Sequence, residues 1–163
     1  MGWVSTAARK SLLRSRISDY ELKLTKLSEE MQKLTSYASA TSDGIVTYDE
    51  MGELPADYYD TAMAYNEYAF ANASAAAQQK TSQYMATNQI NDPNIHNTCY
   101  NSYLESELKA IAQMNKQRLQ YEEEKLASEQ ESIQTLLRAA QSEYDSIKDS
   151  IDNSIQRDTI KLA

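Results

Sequence analysis

From Tyr100 to Leu162 the chain contains neither glycine nor proline, and good helix formers fill the interval. A continuous helix there would be a rod on the order of 95 Å long, which no compact domain of this size needs. It has to lie against something along its length. Its apolar stripe reads Leu104, Leu108, Ile111, Asn115, Leu119, Leu126, Ile133, Leu137, Ala140, Tyr144, Ile147 and Ile151. The consecutive four-residue steps at Ile111–Asn115–Leu119 form a stutter, which locally unwinds a supercoil. Around Glu122, Glu123, Glu124 and Lys125 the stripe is poor, which marks a solvated stretch or one covered by a partner.

The remainder of the chain supplies two matching arms. Leu13, Ile17, Tyr20, Leu24, Leu27, Met31, Leu34 and Ala38 alternate four- and three-residue steps, the heptad signature of a coiled-coil seam. From Pro55 to Gln89 a second helix carries the stripe Tyr58, Ala62, Tyr65, Ala69, Asn72 and Ala76. Small residues there let helices approach closely while tyrosine fills the flanks. Asn91-Asp92-Pro93-Asn94 breaks the pattern, because the residue before a proline is driven out of helical geometry. The third helix then starts near Asn97 or Thr98.

Three glycines and two prolines are too few for the turns of a β or α/β fold. The pattern predicts an all-α fold: an elongated antiparallel helical hairpin or coiled coil, forming a single domain over residues 1–163. Helices are expected at about 11–38, 55–89 and 98–161, with the two terminal helices paired and an irregular insert at 39–54. The first two helices span about 40 Å and 50 Å, together matching the third. Counting back from Pro93 places Ile17–Leu34 opposite Ala140–Arg157, with the insert projecting as an exposed element.

Composition narrows the function. Apolar content of 41 % with a mean hydropathy of −0.68 suits narrow seams rather than a thick core. Twelve tyrosines favour half-buried contacts, with the ring packed and the hydroxyl wet. The net charge of −8 argues against nucleic acid, which requires a basic face. Positive charge gathers at the N-terminal end, where Arg9, Lys10, Arg14 and Arg16 meet no acid before Asp19. No run approaches the roughly 20 apolar residues of a membrane-spanning helix, so no membrane insertion is expected. No secretory h-region precedes the first helix.

Candidate chemistry is sparse. Ser39–Glu50 resembles the second half of a calcium loop, with Asp43, Gly44, Val46 and Glu50 in place. Ser39 and Thr41 stand where the first ligands belong, so a plain acidic turn is the better account. Met1–Thr6 fits an acylation pattern and Asn72-Ala73-Ser74 a glycosylation sequon, each by chance. His96 and the lone Cys99 make half a zinc site, where four ligands are needed. No cofactor, metal or enzymatic constellation is expected.

The heptads Leu13–Ala38, together with the tail from Tyr144 to Ile155, resemble the terminal helices of flagellar axial proteins and of type III-secreted filament and needle subunits. The Asn91–Pro93 reversal is similar to the proline-containing turn of needle proteins. The resemblance implies a non-enzymatic subunit that self-assembles into a filament, its terminal helices forming the inner layer of a tube. It also implies an extracellular or cell-surface location reached without a cleaved signal. The assembly residues expected are Trp3, Val4, Arg9, Arg14, Tyr58, Tyr65, Ile147, Ile151 and Ile155. Partners would be further copies of the chain and a secretion chaperone. The alternative is a soluble, cytoplasmic coiled-coil adaptor or chaperone that binds another protein.

Overall fold

The computed structural model describes residues 3–162. Four helices follow one another: α1 (Trp3–Ala40), α2 (Tyr48–Glu53), α3 (Ala56–Thr87) and α4 (Pro93–Leu162). No strand occurs among the described residues. The two long terminal helices pack against each other, so the fold is an all-α helical hairpin. Internal contacts group into two units, Met1–Glu30 with Lys125–Ala163, and Met31–Glu124.

In the first unit the α1 seam is as the heptads predict: Leu13 and Leu27 are buried, and Ile17, Tyr20 and Leu24 half-buried. On α4 the matching face is Leu126, Ile133, Leu137, Ala140, Tyr144, Ile147 and Ile151, none of them exposed. Helix α1 begins at Trp3 rather than Ser11, because its first turns dock through basic rather than apolar side chains. Arg9 Nε donates to Glu143 Oε1 at 2.9 Å and Arg9 Nη2 to Glu143 Oε2 at 3.2 Å, a forked pair. Lys10 Nζ lies 5.7 Å from the centre of the Tyr144 ring.

These contacts revise the register. With Arg9 at Glu143, Ile17 faces the region of Thr135, not that of Arg157. The offset is about twenty residues, close to three heptads. A heptad seam offers nearly the same apolar pattern after every seven-residue slip, so the stripe alone does not distinguish these registers. The expected register also assigned the insert a share of the length along α4, which it does not occupy.

In the second unit the insert folds back against α3. Val46 N donates to Asn66 Oδ1 at 2.7 Å, and Asn66 Nδ2 donates to Val46 O at 2.8 Å. One side-chain amide thus satisfies both backbone groups of a residue only 3 % exposed. Gly44 adopts φ +139°, a conformation that side-chain-bearing residues rarely take, and sets the turn into Val46. Thr47 and Glu50 form a capping box at the start of α2, with Thr47 N donating to Glu50 Oε2 at 2.8 Å. The carboxylate that a calcium loop would place on the ion is therefore engaged in capping. Met51 is buried as well, so the insert is packed rather than projecting, Tyr48 and Ile45 being its exposed apolar side chains.

The insert sets α3 back alongside the end of α1. Lys33 Nζ pairs with Asp57 Oδ2 at 2.6 Å, and the Tyr37 and Tyr58 rings stack with centroids 5.0 Å apart. The last two turns of α1 and the first two of α3 thus overlap. Beyond the overlap, α3 buries Tyr65, Ala69, Ala73, Ala77 and Thr81, a ridge of strict four-residue steps. Asn72, expected on the buried stripe, is exposed and donates to Tyr68 O, while Ala76 is half-buried. Lys80 pairs with Glu107 across to α4.

The α3–α4 reversal is a Schellman motif. Ile90 N donates to Met85 O at 2.9 Å and Gln89 N to Ala86 O at 3.3 Å, with Gln89 at φ 53°. Asp92 then caps α4: Asn94 N donates to Asp92 Oδ1 at 2.9 Å. Pro93 is the first residue of α4, where its missing N–H costs nothing, so the proline starts the helix instead of preceding it. Gln89 sits in a left-handed conformation that disfavours a side-chain-bearing residue by roughly 1 kcal/mol. Gln89→Gly is expected to raise unfolding free energy by about that amount, and Asp92→Ala to lower it by about 1 kcal/mol, both read by urea denaturation.

Candidate functional site

Within the second unit, three helices line an open cavity of about 600 Å3. Thr61, Ala64, Tyr65 and Tyr68 line it from α3, and Ile111, Met114, Asn115 and Arg118 from α4. Both sets follow i, i+3, i+4, i+7 spacing, so each helix turns one continuous face inward. Tyr37, 1 % exposed, closes the cavity from the last turns of α1. The cavity lies where α1 ends beside the start of α3, and Ala64 is the smallest side chain of its lining.

A buried polar node holds one wall. Asn115 Nδ2 donates to Thr41 Oγ1 at 3.1 Å, and Thr41 Oγ1 donates to Tyr37 O at 3.1 Å. Arg118 Nη2 donates to Asn115 Oδ1 at 3.1 Å, which fixes the guanidinium beside the cavity. Thr41 is 1 % and Asn115 9 % exposed, and each has found a partner.

The tyrosines have not. The hydroxyls of Tyr37 and Tyr65 are buried without any hydrogen-bond partner. Leaving such a group unsatisfied costs about 1–3 kcal/mol. Burial raises the Tyr37 pKa above the ordinary phenol value; nearby Arg118 opposes this, and Tyr65, Tyr58 and Glu122 add to it. Burial alone raises that of Tyr65. At the rim, Tyr68 is 62 % and Met114 70 % exposed.

The residues expected from sequence to mediate assembly fall in different places. The side chain of Trp3 lies outside the described residues. Val4, Arg14 and Ile155 are exposed. Arg9 is occupied by Glu143 of its own chain, whose pKa is lowered by that hydrogen bond. Ile147 is half-buried and Ile151 buried, both on the α4 seam. Tyr58 and Tyr65 are brought together with Tyr37, one stacked on it and the other lining the same cavity. Sequence reasoning did not single out Tyr37, Asn115 or Arg118 for the site. The available signal was Asn115, a polar residue at the stutter of an otherwise apolar stripe. His96 and Cys99 are half-buried, and no metal-binding group of three or more His, Cys, Asp or Glu occurs among the described residues.

No protein-family model, curated protein or solved structure matches the chain.

Because the Tyr37 and Tyr65 hydroxyls lose no partner on removal, Tyr37→Phe and Tyr65→Phe are each expected to be neutral or stabilising by about 1 kcal/mol in thermal unfolding. The pH dependence has a definite sign. Above the ordinary phenol value of 10.0 the unfolded tyrosines lose their protons while the buried ones keep theirs. The folded state then binds more protons, so stability is constant below that pH and falls above it. Replacing both residues by Phe should flatten the alkaline fall in denaturation midpoints measured across that range.

Proposed function

We propose that the chain is a non-enzymatic structural protein that self-associates through the last turns of α4 into a homo-oligomer or filament. The observation that carries this reading lies in the first unit. There the α4 stripe continues past its covered part: Ile151 is 8 % exposed, but Ile155 is 49 % and Leu162 89 % exposed. Residues 151, 155 and 162 stand at i, i+4 and i+11, one face of a helix. With Arg9 at Glu143, the described part of α1 ends near the level of Ile151, the last buried residue of the seam. The apolar face beyond has no cover among the described residues. A second copy supplies one, and burying an Ile or Leu fully is worth about 1.5–3 kcal/mol.

Exposed Val4 on α1 adds apolar surface near the same end of the unit. The resemblance to secreted filament subunits supports this reading and carries with it a cell-surface or extracellular location. Among the described residues, no helix is long and apolar enough to cross a membrane. A second reading, an adaptor for another protein, rests on a different patch. Tyr59, Met63 and Phe70 stand at i, i+4 and i+11 on α3, and are 45 %, 42 % and 52 % exposed.

Sedimentation of the wild-type chain should show mass rising with concentration, with extended particles in negative-stain micrographs. The double variant Ile155→Asp/Leu162→Asp should remain monomeric with unchanged helicity, since neither side chain belongs to the covered seam. Ile151→Asp, by contrast, should also lower stability by on the order of 3 kcal/mol, because it buries a charge. A wild-type chain that stays monomeric at every concentration overturns self-association and leaves the α3 patch as the binding face.

A further inference from the structure

The cavity between α1, α3 and α4 is lined by Arg118 and by two tyrosines whose buried hydroxyls lack acceptors. Tyr37 and Tyr65 each offer an unused O–H, and the bond from Arg118 to Asn115 employs one of the five guanidinium N–H groups. No carboxylate side chain lines the cavity; Glu122 lies one turn further along α4. The remaining lining is apolar or aromatic: Ala64, Ile111, Met114 and the ring of Tyr68. A volume of about 600 Å3 falls within the range of small-molecule sites.

We propose that this cavity is a binding site for a small aromatic carboxylate. The carboxylate belongs at the donor-rich end, where Arg118 matches its two oxygens and the Tyr37 and Tyr65 hydroxyls gain the acceptors they lack. The ring lies on the apolar wall, against the Tyr68 face and the Met114 thioether. A single guanidinium balances a single negative charge, and in a chain of net charge −8 a doubly charged phosphate would be left half unpaired. The two tyrosine oxygens are sealed behind the lining. Binding therefore requires a side-chain adjustment that opens these hydroxyls to the cavity.

Isothermal titration of the full chain with 3-phenylpropionate tests the site, with neutral 3-phenylpropanamide as the matched control. The expected result is saturable one-to-one binding of the acid and about tenfold or greater weakening for the amide. Tyr37→Phe and Tyr65→Phe should each weaken the acid by roughly five- to tenfold while circular dichroism stays unchanged. Arg118→Gln should reduce the acid to the affinity of the amide. Absence of saturable binding, equal affinity for acid and amide, or affinity undiminished in both Phe variants overturns the proposal.

Discussion

The hydrogen bond from Asn115 to Thr41 settles what the apolar seam leaves open. Along a heptad interface a slip of seven residues exchanges leucine for leucine at little cost, so hydrophobic burial is nearly degenerate in register. A buried amide is not. Out of register, Asn115 would be desolvated without a partner, at about 1–3 kcal/mol, and Thr41 would lose its donor. That difference is large on the scale of a marginally stable domain. The Arg9–Glu143 pair also prefers one register, but its groups are 40 % and 43 % exposed, and such pairs contribute about 0–1 kcal/mol. For the end of α1, the polar node is the stronger determinant.

Once α1 is held at that node, the connection to α3 follows. The chain leaves α1 at Thr41 yet re-enters helix beside Lys33 and Tyr37, so residues between must reverse direction and step back. Gly44 supplies the turn, Asn66 satisfies Val46 in place of a strand partner, and the Thr47–Glu50 box restarts helical geometry. Where the two helices overlap beside α4, the lining from α3 includes the small side chains of Thr61 and Ala64. The cavity sits at this overlap, and its polar wall is the same node that positions α1.

Much of the helical framework was legible because it depends on local periodicity. The α1 heptads and the lower α4 stripe are both packed as the spacing indicates. The upper part of α3 was less legible for a definite reason. Alanine is the best helix former and also small enough for a buried ridge, so it reports poorly on which face is covered. Ala71, Ala73, Ala75, Ala76 and Ala77 allow several stripes, and the four-residue ridge through Ala73 and Ala77 is the one used. Pro93 was ambiguous in the same way, since a proline that ends one pattern is equally suited to begin the next. The burial of Val46 arises from Asn66, twenty residues away, and no local pattern carries that information.

The two units depart from a self-sufficient fold in opposite senses. In one, polar groups are unsatisfied inside: the Tyr37 and Tyr65 hydroxyls are desolvated without partners, where phenylalanine would fill the same space without that cost. In the other, apolar groups are uncovered outside: Ile155 and Leu162 extend a seam beyond its cover, where polar residues would serve a lone helix end equally well. Packing of a single chain calls for neither arrangement: the buried hydroxyls cost stability, and the exposed side chains contribute none. Each arrangement becomes favourable when something else supplies the missing complement, an acceptor in the cavity and an apolar surface at the end of α4. The physical case for a ligand and the case for a second copy therefore rest on separate residues of this chain, and neither depends on the other.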